Sequence, residues 1–198
     1  MNKCLVLFVE GETEVEFYRQ VISEARKKRP NRRFNTYIET KCVKGVGNFK
    51  SEVLRKFQKV IVPHYGEDVK YTIVLCNDTD VFELSQHPGV VWEDVIEGLK
   101  SAGADNVIHI QAKHCIEDWF LLDIESIIAF LRLPKKTKVP SAPNGYEKLK
   151  RLYKLANKIY LKGMKSNGMI SKMNIKKIVD NEEIKNELKP LYEALGVS

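Results

Sequence analysis

Tyr71-Thr72-Ile73-Val74-Leu75-Cys76 runs without a break into Asn77-Asp78-Thr79-Asp80. A short stretch that is apolar at nearly every position predicts a strand buried on both faces, the kind a parallel sheet requires. The acidic residues at its end predict either a turn or two carboxylates on one side of an extended chain. Upstream, Lys3-Cys4-Leu5-Val6-Leu7-Phe8-Val9 has the same character and stops at Glu10-Gly11. Thr13-Glu14-Val15-Glu16 then fits a capping box, with Thr13 as N-cap and Glu16 at N3. Val15, Tyr18, Val21, Ile22 and Ala25 follow at helical spacing. Residues 36–43 predict a second strand. A glycine-bearing loop over 44–48 follows, then a helix over 49–62 whose end is blurred by Val60-Ile61-Val62. Beyond Asp80, a helix fits 90–102, a fourth strand 107–110 and an amphipathic helix 116–131. Strand and helix alternate four times, which predicts a parallel α/β sheet of about four strands covered by helices on both faces.

Composition narrows the class. The 198 residues suit one domain, or one domain with a small appendage, and 43% are hydrophobic, enough for a core. No apolar run approaches the roughly 18 residues of a membrane span. The basic-then-apolar opening resembles the start of a signal peptide, but it ends at Glu10 without a small-residue cleavage site, so a first strand explains it better. Cys4, Cys42, Cys76 and Cys115 form no CxxC and predict reduced, buried thiols in a cytoplasmic protein.

Charge divides the chain. Residues 135–190 hold 15 Lys/Arg against 5 Asp/Glu, a net of +10, whereas residues 1–134 hold 18 against 20, a net of −2. Three prolines between Pro134 and Pro143 predict a linker. The expected organisation is an α/β domain over 1–134 and a basic, mainly helical appendage over 135–198. Tyr146, Leu149, Leu152, Tyr153 and Ala156 stand at core-facing spacing there. Such an appendage fits phosphate-backbone binding, because each neutralised phosphate releases a counterion; a lysine-rich solvated surface is the alternative. Lys148, Lys150, Arg151, Lys154 and Lys158 are the candidate backbone contacts. Tyr153 and Tyr160 are available for base stacking or, alternatively, core packing.

Carboxylates collect where such sheets bind ligands, beyond the carboxyl ends of the strands. Glu10 follows the first strand, Asp78 and Asp80 the third, and Glu117-Asp118 open the helix after the fourth. Each has a plainer explanation: acids at helix starts answer the helix dipole, and Asp-x-Asp can simply turn the chain. Together they form a hard-oxygen donor set suited to Mg²⁺ or Mn²⁺. Lys113, just after the fourth strand, is a candidate to stabilise phosphate charge; an ordinary exposed lysine is its alternative. Gly45-Val46-Gly47-Asn48 reads as a turn, and His64, His87, His109 and His114 show no ligand spacing.

These residues carry a resemblance. Leu7-Phe8-Val9-Glu10-Gly11-Glu12-Thr13-Glu14 resembles the first motif of the TOPRIM domain, and Asp78-Thr79-Asp80 resembles its second. The likeness covers roughly residues 3–131 and is nearest to OLD-like and small stand-alone RloB-type TOPRIM proteins. It implies a Rossmann-like sheet with Mg²⁺ at Asp78 and Asp80, while Glu10 would hold metal or act as general acid/base. Glu117 is favoured over Asp118 as a further ligand, from likeness to an acidic-x-Trp element, and the choice between the neighbours stays open. It also implies a metal-dependent nuclease acting on DNA or RNA, a role in phage defence and a separate ATPase partner. Topoisomerase- or primase-like phosphotransfer, and a non-catalytic nucleic-acid-binding partner of an ATPase, are its alternatives. No Walker A motif and no assignable nucleophilic tyrosine are present.

Overall fold

The computed structural model describes residues 2–29, 35–79, 89–164, 166 and 168–197. Four strands form one parallel sheet: β1 (Lys3–Val9), β2 (Thr36–Cys42), β3 (Lys70–Asp78) and β4 (Asn106–Ala112). Their order is β2-β1-β3-β4, with Val9 beside Cys42 on one side and Cys76 on the other. The chain therefore leaves β1 in one direction and returns past it in the other. The reversal makes the β1/β3 boundary the topological switch point, where ligands bind in open α/β sheets.

Period-two alternation sorts the central strands onto two faces. Leu5, Leu7 and Val9 join one apolar cluster, and Cys4, Val6 and Phe8 the other. The second face is covered by α2, a continuous helical stretch over 46–65, and by α3 (Trp92–Ser101). Helix α2 contains two wide π-type turns, at Phe49–Val53 and Phe57–Ile61, and both bring phenylalanines into the core. It runs through Val60-Ile61-Val62 and ends only at Gly66, whose φ of +100° suits glycine.

The first face is covered by α1 (Glu12–Lys27), α4 (Ile116–Phe120) and α5 (Ile124–Leu131), together with helices from the basic third of the chain. These are α6 (Gly145–Leu155), α7 (Met169–Lys172), α8 (Ile175–Val179) and α9 (Glu182–Leu195). Helix α6 packs on α4, α7 and α8 pack on α1, and α9 packs on β4. Leu149, Leu152, Ile178, Leu188 and Leu191 thereby share one core with Phe17 and Phe120. Fully burying a leucine of this kind contributes about 1.5–3 kcal/mol.

Two local expectations are corrected. The cap of α1 is Gly11, not Thr13: the Gly11 N–H donates to Glu14, which occupies N3. The Thr13 hydroxyl instead donates to the Met164 carbonyl, and Glu16 accepts from Ser166. The helix expected over 116–131 is broken at Leu121–Asp123, where the buried Asp123 turns away to accept from Asn174 N at 2.6 Å. The four cysteines are unpaired, and Cys4, Cys76 and Cys115 are buried. Among the described residues, no helix is long and apolar enough to cross a membrane.

Candidate functional site

The switch point gathers four carboxylates. Glu10 leaves the end of β1 and accepts the Asp78 N–H at 2.9 Å, which ties the first strand end to the third. Asp78 is the last residue of β3 and only 1% exposed; its Oδ1 accepts the Ile116 N–H at 2.8 Å, which docks the start of α4. Glu117 is also 1% exposed, and its Oε1 accepts the Tyr160 hydroxyl at 2.9 Å. Its other oxygen, Oε2, is buried with no hydrogen-bond partner among the described residues. Glu14 joins them from the first turn of α1. Asp80 lies outside the described residues.

Burial and mutual repulsion set the protonation of this group. Burial first, then Asp78 and Glu10, raise the Glu14 carboxyl well above its usual range. Asp78 is pushed up mainly by burial, with Lys162 opposing that rise and Glu117 and Glu10 adding to it. Burial likewise raises Glu117, against the pull of Lys162 and Tyr160. Every one of these shifts disfavours charge, and a cation in the pocket relieves all of them together.

That cation is Lys162. Its Nζ stands 2.9 Å from Asp78 Oδ2, a charge contact without good hydrogen-bond orientation. It arrives on a strap, residues 158–164, that leaves α6 and crosses the start of α1. Along the strap Tyr160 points inward to Glu117 and Lys162 to Asp78, while Ile159 and Leu161 point out to solvent. Glycine is required where the strap crosses. The Gly163 carbonyl accepts the Glu12 N–H at 2.8 Å, and a Cβ on Gly11 would sit 2.4 Å from Gly163 Cα. Gly145 plays the same part for Glu117, since a Cβ there would meet Asp118 N at 2.3 Å. A cavity of about 600 Å³ opens beside the strap, lined by Glu10, Glu12, Glu14, Lys44 and Lys162 among others.

The remaining candidates lie elsewhere. Asp118 turns away from the pocket, with Cys115 Sγ at 3.3 Å from Oδ2 and Lys148 Nζ at 3.7 Å from Oδ1. Lys113 lines a separate cleft of about 270 Å³ with Asp118 and Asn181. Lys150, Arg151, Lys154 and Lys158 share an exposed groove on α6 and the start of the strap, whereas Lys148 is half-buried against Asp118. Tyr153 and Tyr160 are each 4% exposed and pack against one another at 5.1 Å, so neither offers a free face for base stacking. Lys162, Tyr160 and Glu14 were not singled out as pocket groups by position; only Glu14, inside the Glu-Gly-x-Thr-Glu run, left a trace in the sequence.

The donors are hard oxygens, and a buried carboxylate oxygen without a partner is the kind of group a divalent cation would satisfy. Among the described residues, no set of three or more His, Cys, Asp or Glu side chains stands arranged as a metal site. No family model, curated protein or solved structure matches the chain.

Proposed function

We propose that the acidic pocket is the active site of a Mg²⁺-dependent nuclease, a phosphodiesterase acting on DNA or RNA. The observation that carries this reading is the convergence of Glu10, Asp78 and Glu117 from three strand ends at the switch point, with Glu117 Oε2 buried and unsatisfied. Asp78, Glu117 and Glu10, with Asp80, are the residues that would hold Mg²⁺ or Mn²⁺. The ion would supply charge neutralisation at the phosphate and a nucleophilic water at neutral pH. The protein's own groups do the rest. Asp78 and Ile116 N fix the spacing of β3 and α4, Tyr160 orients Glu117, and Lys162 brings positive charge to the place where a phosphate oxygen would sit. The exposed cations of α6 would hold the backbone without reading sequence. The TOPRIM resemblance agrees with this assignment and extends it to a separate ATPase partner and a setting in phage defence.

Lys162 also favours a second reading. An ammonium 2.9 Å from Asp78 can be the standing counter-charge of a pocket that never turns over. The protein would then bind nucleic acid as a non-catalytic partner. Cleavage of labelled single- and double-stranded DNA and RNA separates the two, run with Mg²⁺, Mn²⁺ or EDTA. Wild type is compared with Asp78→Ala/Asp80→Ala and Glu10→Gln. The nuclease reading expects metal-dependent cleavage that both variants lose by roughly a hundredfold or more. Inert proteins that bind alike in all three forms would leave the second reading.

A further inference from the structure

The outward side of the strap does not belong to any core. Ile159 is 79% exposed, Leu161 56%, and Met164 58%, with Leu155 at the end of α6 at 58%. Large aliphatic side chains this exposed, three of them sharing one cleft beside the acidic pocket, mark a surface that something covers. The charge around them says what. Two grooves flank Lys158: one of about 970 Å³ between the ends of α5 and α6, and one of about 430 Å³ along α6 and the strap. Arg132 and Lys172 line the first, Lys150, Arg151 and Lys154 the second, and Lys158 both. Glu147, held by Lys150 at 3.1 Å, is the one carboxylate among the described residues lining either groove.

We infer that this continuous track binds single-stranded nucleic acid and feeds it over the strap to the acidic pocket. Six cations in sequence along two grooves complement a polyanion of extended shape. The apolar side chains then decide which polyanion. A duplex keeps its base faces stacked internally and offers Ile159 and Leu161 only phosphate and sugar, which leaves both exposed. A single strand carries unstacked bases that can lie against Ile159, Leu161 and the half-exposed Tyr146 ring, whose face already receives Lys150 Nζ at 5.5 Å. A protein partner would more naturally meet an apolar patch ringed by mixed charge; here the α6 side is basic, and Glu12 is the carboxylate that shares a cleft with Ile159, Leu161 and Met164 on the side of the acidic pocket.

The track also reaches the chemistry. Leu161 lies between Tyr160, which holds Glu117, and Lys162, which holds Asp78. Leu161 lines a cleft of about 640 Å³ with Glu12 and Met164, and those two residues also line the acidic cavity, so a strand resting on Leu161 lies next to the carboxylates. The inference thus takes its direction from the nuclease reading, although the track itself stands on exposure and charge.

Binding is measured by fluorescence anisotropy in EDTA, so that it is independent of turnover. The probes are short labelled single strands of DNA and RNA, and matched duplexes. The expected result is single-strand binding roughly tenfold or more tighter than duplex binding. Ile159→Ser/Leu161→Ser, at exposed positions where folding is not at stake, should lose roughly tenfold on the single strand and nothing on the duplex. Lys154→Ala/Lys158→Ala should weaken both and flatten the log–log salt slope on single strands by about 1.4. Duplex binding equal to or tighter than single-strand binding overturns the inference. So does a Ser variant that binds like wild type, or a wild type that binds no oligonucleotide at all, which would assign the patch to a protein. Single-strand binding that the Ser variant loses, in a protein that cleaves nothing with any metal, supports the track and removes the nuclease reading. Cleavage of single strands at the wild-type rate by the Ser variant does the reverse.

Discussion

The acidic pocket and the basic groove meet along the strap and are built on opposite principles. In the pocket Glu14, Asp78 and Glu117 are buried and coupled to Glu10 and Lys162, so that Asp78 alone joins β1, α4 and the strap. In the groove each charge is exposed on a flexible stem with few nearby contacts: Lys150 meets Glu147 and the Tyr146 ring, Arg151 the Ser141 carbonyl, and Lys158 the Phe130 ring. On the proposed function, the difference teaches where precision is stored: a reacting centre would need fixed oxygens, whereas a polyanion would need only an average of positive charge. Substitutions should therefore be costly and non-additive in the pocket, and cheap and additive in the groove.

The largest expected effect comes from the backbone contact beneath the pocket. Gly145→Ala places a methyl against Asp118 N and the Glu117 carbonyl carbon, which forces α6 off α4. A loss of about 3 kcal/mol is expected, at the upper end for overpacking. In a chain of this size that lowers Tm by roughly 6–12 °C, read by thermal unfolding. A variant as stable as wild type would mean that the pocket is no more rigid than the groove.

Lys162→Met comes next. It strips the pocket of its ammonium and leaves Asp78 and Glu117 facing one another. Lys162 is 31% exposed, so the cost falls below that of a fully buried pair, at about 2 kcal/mol. Adding Mg²⁺ at pH 8 should restore more Tm in this variant than in wild type, because metal and ammonium answer the same charge.

Glu117→Gln should act in the opposite direction and with pH. Its carboxyl is raised in the folded state above the usual 4.5, chiefly by burial, so folding is disfavoured as pH climbs from the unfolded value through the folded one. Glutamine keeps an acceptor for Tyr160 and carries no charge. Tm is expected to rise by about 2–4 °C at pH 8, the scale of 1 kcal/mol here, and to match wild type below pH 4.5, where both side chains are neutral. A gain that persists at low pH would point to packing instead.

Lys154→Ala marks the small end. Stability should stay within about 0.5 kcal/mol of wild type. The log–log salt slope on single-stranded nucleic acid should still fall by about 0.7, the share of one phosphate contact. A change in stability as large as that of Lys162→Met would erase the contrast between the two regions.

Sequence made some of this legible and hid the rest for physical reasons. The central strands β1 and β3 follow from nearly uninterrupted apolar runs, whereas the half-buried edge strands β2 and β4 interleave Glu39, Lys41, His109 and Gln111 and are read from their place in the alternation; burial on both faces makes the central signal local. The acids at strand ends were legible for the same reason. Which of Glu117 and Asp118 faces the pocket was not, since neighbours on a helix point about 100° apart and the packing of α6 on α4 decides. The cap of α1 was ambiguous because Gly11 and Thr13 each have a glutamate three residues on. The choice fell to Met164, 151 residues from Thr13, which takes its hydroxyl. Lys162 left no mark at all: it sits in an irregular strap with no periodicity, one lysine among 15 Lys/Arg over residues 135–190.

The strap has a consequence for how the protein is made. A chain emerges from the ribosome N-terminus first, and domains begin to fold as they appear. The sheet, with Glu10, Glu14 and Asp78, is complete once β4 has formed, and Glu117 follows five residues later. Lys162 is synthesised well after all of them. During that interval the nascent sheet edge carries its carboxylates without their ammonium, and the glycine crossing at Gly11 stays open. Folding of this edge therefore waits on the last third of the chain, unless an ion from solution holds the place of Lys162 until it arrives.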